Sequence, residues 1–387
     1  MKIKRIKILF IFGTRPEVIK LAPVYNYLKR NKRFRLAACV TAQHKQMMFQ
    51  ALDIFNIKPN FNLDIMRHNQ DLFDISSSIL DKVKGVLGKF KPDLVVVHGD
   101  TTTAFVAALS AFYLNIRVAH IEAGLRTYNL QAPFPEELNR QLVSKIADLH
   151  FCPTKESYDN LIAERVEANK LFITGNTVID ALLQRLQVIE EKKSLKKKLS
   201  SLISNKVGFN LGEEDIILIT GHRRENLGKG ILDISNAVLK LAKKFPNKRF
   251  VYPVHLNPKV SSPVKRILSR VSNVSLIEPL DYDEFLFLMR NACLILTDSG
   301  GIQEEAPSLG IPVLVMRDTT ERPEAVKAGV VKLVGSSQEK IIYWVTKLLE
   351  DKKMYKKMSS SINPYGDGRS SVRINEILEK YFEDEKS

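Results

Sequence analysis

Residues 293–325, CLILTDSGGIQEEAPSLGIPVLVMRDTTERPEA, indicate the fold class of the chain. An apolar run at 294–296 leads into Ser299-Gly300-Gly301, a short helical pattern follows, and Gly310 precedes a second apolar run at 311–315. The order strand, glycine turn, helix, strand predicts one unit of a parallel α/β sheet. Its three turn amides would lie at the positive end of a helix, where a phosphate binds well. Two adjacent glycines are a weak motif, so a merely structural turn is the alternative.

Apolar, strand-like runs alternate with amphipathic, helix-length stretches along almost the whole chain. This is the pattern of parallel sheets covered by helices on both faces. The polar, lysine-rich segment 180–210 interrupts it and is predicted to be a linker helix and an exposed loop. Strands are predicted in the first half at 6–12, 35–41, 93–98, 116–120, 149–152 and 171–173, and in the second half at 216–220, 249–254, 274–277, 294–297, 311–315 and 330–334.

The fold class predicted from this alternation is α/β, with two doubly wound parallel-sheet domains. We expect an N-terminal Rossmann-like domain at 1–178 and a C-terminal Rossmann-like domain at 179–364. The segment 365–387 is predicted to form a C-terminal helix that packs back on the N-terminal domain.

Composition limits the classes of protein to consider. A hydrophobic fraction of 44% in 387 residues is that of a globular protein with a real core, and no apolar segment is long enough to insert into a membrane. The basic N-terminus leads into a short apolar run without a small-residue cleavage site, which favours a buried first strand over a signal peptide. Cys39, Cys152 and Cys293 lack metal-binding spacing and are interpreted as buried thiols in a reducing, cytoplasmic setting.

The formal net charge of +16 raises the question of nucleic-acid binding. The excess lies in local lysine runs such as 192–198 and 352–357, without interleaved aromatic residues or a recognisable nucleic-acid module. We therefore predict a solvated basic surface that attracts anionic small molecules, and no nucleic-acid partner.

Polar and charged side chains follow several predicted strands, at the positions where doubly wound sheets bind ligands. Each has a structural alternative: Asp100 precedes three threonines and could cap a helix, and Glu136 would gain from the dipole of its helix. A merely structural sheet does not require so many charges at its strand ends. The residues concerned are Arg15, Lys20, Asp100, Glu122, Glu136, Arg140 and His222.

Cofactor motifs are missing from the positions where they would be expected. No G-x-G-x-x-G follows a predicted strand, and the sequence contains no Walker-type loop. We therefore predict a protein that uses no nicotinamide, no other cofactor and no metal.

Eight motifs in the same order resemble those of the non-hydrolysing UDP-N-acetylglucosamine 2-epimerases. They are GTRPEVIK (13–20), TAQH (41–44), HGDTTT (98–103), EAGLRT (122–127), GHRREN (221–226), VYPVHLNP (251–258), DSGGIQEEAPS (298–308) and NPYGDG (363–368). The resemblance implies the two-domain glycosyltransferase-B architecture, with the nucleotide sugar in the cleft that the domains face. It also implies a cytosolic, usually dimeric enzyme whose product, UDP-N-acetylmannosamine, feeds cell-surface polysaccharides.

The resemblance further implies a role for each site residue. Asp100, Glu122 and Glu136 would form the acid–base group, which Arg140 would orient. The departing diphosphate would be stabilised by Arg15, His222 and the amides of Ser299, Gly300 and Gly301. The nucleotide sugar would be bound by Lys20, by Arg322, by Glu305 on the ribose and by Phe285 against the uracil.

The chemistry of a UDP-sugar restricts how C2 can be inverted. The C2 proton has no adjacent carbonyl and is not acidic, so direct abstraction is far too slow. Oxidation at C3 would need a nicotinamide, for which the sequence shows no site. Elimination of UDP to a 2-acetamidoglucal, followed by re-addition, needs carboxylates near C2 and cations or amides at the diphosphate. Both sets of groups are present.

Two departures from the family pattern stand out. Leu280 occupies a position where some relatives have a polar residue that meets the base, so uracil contacts there would come from the backbone. Several bacterial members bind a second UDP-N-acetylglucosamine as an activator, and Gln43, Gln46, Gln70 and His255 match that pocket. The arginine expected beside Gln70 is Asn69 here, with Arg67 nearby.

Three other functions remain open from the sequence. A UDP-sugar-dependent glycosyltransferase of the same fold would share the diphosphate site but needs an acceptor pocket and one catalytic base. A hydrolysing 2-epimerase would release UDP and free N-acetylmannosamine. A non-enzymatic UDP-sugar sensor would not need three carboxylates at the site.

Overall fold

The structure, a computed structural model, describes residues 5–41, 45–67, 69–212 and 214–384. The chain divides into two compact units. Unit 1 consists of residues 1–181 and 365–387, and unit 2 consists of residues 182–364. The helix Thr177–Glu191 runs through both the boundary predicted at 178 and the one observed at 181.

Unit 1 contains a parallel sheet of seven strands in the order β3-β2-β1-β4-β5-β6-β7. Its strands are β1 (Ile6–Phe12), β2 (Phe34–Val40), β3 (Phe61–Asn62), β4 (Leu94–His98), β5 (Arg117–Ile121), β6 (Leu149–Cys152) and β7 (Leu171–Ile173). Six of them match the predicted strands, because buried parallel strands form nearly continuous apolar runs. The strand β3 was not predicted, since two residues are too few to show a period.

The helices of unit 1 fill the crossovers between these strands. They are α1 (Arg15–Leu28), α2 (Lys45–Ile54), α3 (Leu72–Phe90), α4 (Thr102–Phe112), α5 (Glu136–Ile146) and α6 (Lys155–Ala163), with a short 3-10 turn at Ala168–Lys170.

Unit 2 contains a parallel sheet of six strands in the order β10-β9-β8-β11-β12-β13. All six were predicted, with ends that differ by a few residues. They are β8 (Asp215–Thr220), β9 (Lys248–Pro253), β10 (Val274–Ile277), β11 (Ala292–Thr297), β12 (Val313–Val315) and β13 (Val331–Leu333).

The remaining helices extend from the boundary between the units to the C-terminal segment. They are α7 (Thr177–Glu191), α8 (Lys193–Val207), α9 (Lys229–Lys244), α10 (Pro258–Leu268), α11 (Tyr282–Arg290), α12 (Gly300–Glu305), α13 (Pro323–Lys327), α14 (Gln338–Glu350), α15 (Lys352–Ser359) and α16 (Ser370–Asp384), with 3-10 turns at Arg224–Asn226 and Ala306–Leu309.

The lysine-rich segment 180–210 is mostly helical, so the exposed loop predicted there is wrong. Leu199, Ile203 and Val207 are buried at four-residue spacing along α8, and the lysines occupy its solvent face. Lys206 also pairs with Glu284 on α11 at 2.8 Å. The amphipathic pattern of α8 was missed in the sequence because only these three apolar side chains form it among many lysines.

The last helix, α16, stays with unit 1. Asn31, just after α1, donates from Nδ2 to Asn375 and Glu379 on α16 at 2.9 and 2.8 Å. The carboxylate of Asp180 accepts the backbone N–H groups of Ser370 and Ser371 at the start of α16. These contacts hold the end of the chain against α1.

The strand order reverses in the same way in both sheets, between β1 and β4 in unit 1 and between β8 and β11 in unit 2. In doubly wound sheets ligands bind at this reversal, beyond the carboxyl ends of the strands. The loops after these four strands are therefore the places to look for a functional site.

The cysteines, the lengths of the helices and the search for metal ligands do not indicate a function. The thiols of Cys39, Cys152 and Cys293 are free, and burial raises the pKa of each, to about 12, 12 and 11. Among the helices described, none combines the length and the apolar character that a membrane span needs. Within the same ranges, no group of three potential metal ligands comes together.

Candidate active site

The turn between β1 and α1 is tied down by Glu17. Thr14 caps α1 and forms a capping box with Glu17. The Glu17 carboxylate, 2% exposed, accepts the N–H groups of Gly13 and Thr14 at 3.0 and 2.8 Å and the Thr101 hydroxyl at 2.8 Å. Burial raises the pKa of Glu17 to about 6 against the effect of these hydrogen bonds. Glu17 thereby links the loops after β1 and β4, on either side of the strand reversal.

The Asp100 carboxylate is not used as a helix cap. Thr101 caps α4 instead, accepting the Ala104 N–H at 3.0 Å. The Asp100 carboxylate accepts a hydrogen bond from Arg140 Nη2 at 2.5 Å. The backbone carbonyl of Asp100 accepts a second one from Asn139 Nδ2 at 2.9 Å. The structural role considered for Asp100 is therefore wrong.

The pKa of Asp100 is raised above its ordinary value. Burial is the largest cause, the Arg140 guanidinium opposes it, and the carboxylates of Glu122 and Glu136 raise the pKa further. The three predicted acid–base residues therefore lie close enough to act on one another, and such an arrangement favours retaining a proton in the group.

Glu122 follows β5 with a backbone φ of 64°, a left-handed conformation that is uncommon for residues other than glycine. Its Oε2 forms an ion pair with Lys20 Nζ, accepts from Asn176 Nδ2 at 3.4 Å, and lies 3.8 Å from His98 Nε2. Lys20, predicted to bind the nucleotide sugar, therefore lies beside one of the carboxylates predicted for acid–base chemistry.

Helix α5 carries Glu136 and Arg140 four residues apart, which places both on the same helical face. Its neighbour Glu137 is fully buried and accepts the N–H groups of Thr127 and Tyr128 at 3.0 and 3.1 Å. Burial would raise the pKa of Glu137, but these bonds, together with those from Gln141 and the charge of Arg140, lower it overall. Glu137 fixes the start of α5, and sequence reasoning did not single it out.

Arg15 is the first residue of α1, and its Nη1 lies 3.9 Å from Met47 Sδ on α2. No carboxylate pairs with Arg15 among the residues described. Its guanidinium is therefore available for an anion.

In unit 2 the loop after β8 is tied down by Asp298, which follows β11. Asp298 is fully buried, and its Oδ2 accepts the N–H groups of His222 and Arg223 at 2.9 and 2.8 Å and Asn226 Nδ2 at 3.1 Å. Because β8 and β11 are adjacent strands, the sheet itself brings Asp298 to this loop.

The His222 imidazole stacks on His255. The ring centroids are 5.4 Å apart and the planes differ by 12°. Burial lowers the pKa of His222, Asp298 opposes this, and His255 and Arg223 lower it further. A residue predicted at the diphosphate thus contacts one predicted in the activator pocket.

The turn Ser299-Gly300-Gly301 lies at the start of α12, as the sequence predicted, and Gly310 ends the following 3-10 turn with a φ of 69°. The Arg322 guanidinium covers this start: a Cβ added to Gly300 would lie 3.1 Å from Arg322 Cζ. Glu304, 2% exposed, holds Arg322 through Nε at 2.9 Å. Backbone amides and a fixed cation therefore converge at one point of unit 2.

Arg317 supports the loop that carries Arg322. Its guanidinium, 6% exposed, donates to Glu321 through Nη1 and Nη2 at 2.9 and 3.1 Å. Burial would raise the pKa of Glu321, but the Arg317 hydrogen bonds and charge lower it to about 2. This bidentate pair was not predicted, although both residues stand in the same stretch, 293–325, as the glycine turn.

The residues predicted at the uracil lie at the β10–α11 junction. Leu280 is buried just before α11, and Phe285 is half-buried one turn into it. Glu305, predicted at the ribose, is the last residue of α12 and is 8% exposed.

The structure describes part of the predicted activator pocket. Gln70 braces its own loop, with Oε1 accepting the Arg67 N–H at 2.5 Å and Nε2 donating to the Ile65 carbonyl at 2.9 Å. Asn69 has a φ of 58°, in the left-handed region that asparagine tolerates. Gln43 lies outside the described residues, as does the side chain of Gln46.

Comparison with known proteins identifies the family. The family model described as UDP-N-acetylglucosamine 2-epimerase matches residues 26–379. The chain is 54% identical over 374 residues to the UDP-N-acetylglucosamine 2-epimerase of Campylobacter jejuni, with 97% of each chain covered. The chain belongs to the UDP-N-acetylglucosamine 2-epimerase family.

Solved structures of this epimerase family agree with the fold. The UDP-GlcNAc 2-epimerase from Neisseria meningitidis bound to UDP-GlcNAc gives a TM-score of 0.88 at 51% identity, covering 97% of this chain and 100% of that one. The Methanocaldococcus jannaschii enzyme in complex with UDP-GlcNAc and UDP gives 0.79 at 36% identity, with 97% and 100% covered. The predicted fold class, two doubly wound parallel-sheet units of the glycosyltransferase-B type, is confirmed.

In this chain of the epimerase family, the residues that fix the loops were harder to predict than the charged residues that the loops carry. Glu17 could have been found from the T-x-x-E capping box at 14–17. Asp298 acts on a loop 76 residues away, and Glu137 on residues nine and ten positions before it, so no short pattern marks either of them.

Proposed function

We propose that the protein catalyses the reversible epimerisation at C2 of UDP-N-acetylglucosamine to UDP-N-acetylmannosamine, without hydrolysis. The observation that carries this proposal is the set of three carboxylates after the strands of unit 1, with Asp100 raised in pKa by burial and by the other two. Inverting a carbon by proton exchange needs a base on one face and an acid on the other. A group of interacting carboxylates supplies both forms at one pH.

The first chemical step is the elimination of UDP across C1 and C2. A carboxylate removes the C2 proton, the C1–O bond breaks, and the bonding electrons leave with the UDP oxygen, so that 2-acetamidoglucal remains. We assign this group of roles to Asp100, Glu122 and Glu136 together. The Lys20–Glu122 and Arg140–Asp100 pairs support the assignment, since each cation holds a carboxylate in a fixed orientation.

The second step reverses the first on the other face of the sugar. A protonated carboxyl delivers its proton to C2 from the opposite side, and the UDP oxygen adds back to C1. Atoms and electrons balance without an oxidant, so the route needs no nicotinamide. Asp100 suits the acid role because burial favours its neutral form.

The departing diphosphate carries charge that the protein must stabilise. In unit 2 the start of α12, with Arg322 over Gly300, offers N–H donors and a cation held in place before the reaction. Such preorganised donors are worth about 3 kcal/mol each at a developing negative charge. We assign the diphosphate to these groups, to His222 and to Arg15.

The nucleoside is assigned to the neighbouring residues of unit 2. Glu305 would accept hydrogen bonds from the ribose, and Phe285 would pack against the uracil. Leu280 leaves the base to backbone groups, because its side chain can only make apolar contacts.

We also propose a cytoplasmic homodimer. Exposed aromatic and aliphatic side chains on α3, at the end of α4 and just after it support a self-association surface, since clusters of large apolar groups in water often mark contacts. They are Phe73, Leu80, Phe112, Tyr113 and Leu114. Sedimentation velocity should give twice the monomer mass, and a Phe73→Glu variant should lower it; a concentration-independent monomer would contradict the dimer.

The test of function is to incubate the pure protein with UDP-N-acetylglucosamine and no added cofactor, and to follow the products by proton and phosphorus NMR. We expect an equilibrium between the two UDP-sugars, approached from either side. Oxygen-18 placed between C1 and phosphorus should scramble within the diphosphate, because the C1–O bond breaks. Accumulation of UDP with free N-acetylmannosamine would indicate a hydrolysing enzyme, and no change in the sugar would exclude both.

A further inference from the structure

Asp298 and His222 meet because their strands are neighbours. The residues pair in register up to Thr297 and Thr220 at the ends of β11 and β8, and each chain then turns away from the sheet. His222 comes two residues after its strand and Asp298 one residue after its own. The fold therefore fixes this pair independently of the flexible parts of either side chain.

The two oxygens of Asp298 have unequal surroundings. Oδ2 accepts three hydrogen bonds, from the N–H groups of His222 and Arg223 and from Asn226 Nδ2. Oδ1 is fully buried and accepts none within the described part of the chain. His222 Nδ1 lies 3.6 Å from it.

A buried carboxylate oxygen without a donor is costly, so the site favours any donor that can reach Oδ1. The 3.6 Å separation is too long for a hydrogen bond, but a small rotation of the imidazole would bring Nδ1 to about 2.8 Å, the length of a charge-assisted bond. Hydrogen bonds between catalytic groups are often long in the empty site and shorten when a ligand binds.

We propose that Asp298 is a positioning residue for His222. Its Oδ1 accepts the Nδ1 proton and fixes the plane of the ring, and in the imidazolium that this carboxylate stabilises Nε2–H is the donor to the departing diphosphate. The proposal rests on the function proposed above for His222. When negative charge develops on the diphosphate, the fixed Asp298 carboxylate stabilises positive charge on the imidazole that faces it.

The other groups around His222 work against a proton on its ring. His255 stacks on it, and Asn257 donates its N–H to His255 Nδ1 at 3.1 Å, so that atom acts as an acceptor. Burial lowers the pKa of His222, as do His255 and Arg223, and Asp298 is the group that raises it. Without the carboxylate, His222 would be a neutral ring of undefined tautomer.

The test is the Asp298→Asn variant, examined by nitrogen-15 NMR of the His222 imidazole with and without UDP. The asparagine carbonyl can still accept the N–H groups of His222 and Arg223, while its NH₂ group would face Nδ1 as a donor. We expect both ring nitrogens of the unmodified protein to be protonated with UDP bound, and Nδ1 of the variant to be unprotonated with Nε2 alone carrying a proton. The pKa of His222 should fall in the variant.

Turnover supplies the second readout. Asp298→Asn should lower kcat at least about tenfold, because it replaces a cationic, preorganised donor to the diphosphate by a neutral one. In a His222→Asn background the same change should cost less than about twofold, since a residue that acts through His222 has nothing left to position.

Asn226→Ala is the matched structural control. It removes a donor to Oδ2 of the same carboxylate and should lower the melting temperature, yet the protonation of His222 should stay as in the unmodified protein. Asn226→Ala therefore distinguishes a general loss of stability in this loop from a loss of the Asp298–His222 interaction.

Three outcomes would overturn the proposal. They are an unprotonated Nδ1 in the unmodified protein with UDP, an unchanged protonation of Nδ1 in Asp298→Asn, or additive losses in the double variant. If Asp298→Asn fails to fold, the spectrum of the unmodified protein with UDP still decides. If His222→Asn leaves kcat unchanged, the role proposed for His222 fails, while the protonation result remains a separate test of the pair.

Discussion

The two units share a strand order and differ in the side chains that their strand ends carry. In each sheet the order reverses between the first and fourth strands, and in each a buried carboxylate ties down the loop beyond the first: Glu17 in unit 1 and Asp298 in unit 2. Around this common frame unit 1 places Asp100, Glu122 and Glu136, whereas unit 2 places cations and a helix start. Topology thus determines where each site lies, and the side chains after the strands determine its chemistry.

The two buried carboxylates, Glu17 and Asp298, also differ in how many of their oxygens accept a hydrogen bond. Both oxygens of Glu17 receive donors, all of them backbone N–H groups or threonine hydroxyls. Asp298 keeps Oδ1 facing an imidazole. An amide should therefore replace Glu17 with little harm and replace Asp298 only with loss of function.

The largest effects are expected from the carboxylates of unit 1. Asp100→Asn, Glu122→Gln and Glu136→Gln keep the side-chain shape but remove a group that takes or gives the proton, and each should lower kcat about a hundredfold or more. The affinity for UDP, measured by calorimetry, should change much less, because the diphosphate is assigned to other groups. Glu167→Gln, an exposed carboxylate paired with Lys170, is the control and should change neither. Equal losses in kcat and UDP affinity would contradict the division of roles.

The next largest effect concerns the free energy of unfolding, to which Glu17 makes a pH-dependent contribution. The pKa of Glu17 is about 6 in the folded chain against 4.5 in the unfolded reference. Its favourable contribution is therefore fully present below pH 4.5 and is lost as the pH rises through 6, so ionised Glu17 costs about 2 kcal/mol at neutral pH.

Glu17→Gln removes this pH-dependent cost. Relative to the unmodified protein, the variant's free energy of unfolding should rise by about 2 kcal/mol between pH 4.5 and 7.5 in urea titrations of the full chain. Thr101 can reverse its hydroxyl and accept from the new amide, so the loop contacts should survive. A difference that is constant with pH would show that Glu17 titrates normally.

A smaller effect is expected at the start of α12. Gly300→Ala puts a Cβ 3.1 Å from Arg322 Cζ, so the guanidinium must shift by a few tenths of an ångström. We expect UDP to bind several-fold more weakly, about 1 kcal/mol, as an anion contact lengthens. In an Arg322→Ala background the glycine substitution should cost little, and calorimetry of the four proteins tests this coupling. Additive losses would mean that Arg322 does not act at this turn.

The smallest effect concerns activation by a second substrate molecule. Asn69 replaces the arginine that would clamp a diphosphate, and an amide cannot make the same charge-assisted bonds. Initial rates should show little sigmoidicity in UDP-N-acetylglucosamine, and Asn69→Arg should increase it at a backbone cost of about 1–2 kcal/mol for a left-handed residue. Asn69→Gly, which keeps the backbone, should behave as the unmodified protein. Strong sigmoidicity that survives a change of His255 would mean that the pocket is misplaced.

The sheets could be predicted from sequence because their strands are buried on both faces. A run such as Ile8–Phe12 has no polar interruption, and every position is buried. Segment 180–210 was misjudged because its few apolar residues are diluted by lysines, and β3 because it is so short.

The charged residues after the strands could be singled out from sequence, but the residues that support them could not. Asp100 and Thr101 are equally good caps by sequence, and only the geometry of α4 decides between them. The role of Asp298 depends on β8 and β11 being neighbours, more than seventy residues apart, as the Asp298–His222 contact shows. Such pairings belong to the sheet topology and leave no local pattern.

In the proposed mechanism, unit 1 exchanges the proton at C2 while UDP departs and returns. Turnover of UDP-N-acetylglucosamine in D2O, without nicotinamide, tests it most directly, with deuterium at C2 measured by NMR and mass spectrometry. We expect solvent deuterium to appear at C2 of the UDP-N-acetylmannosamine formed, and the Asp100, Glu122 and Glu136 variants to slow its incorporation together with turnover. Retention of protium at C2, or a requirement for NAD, would contradict this mechanism and favour oxidation at C3.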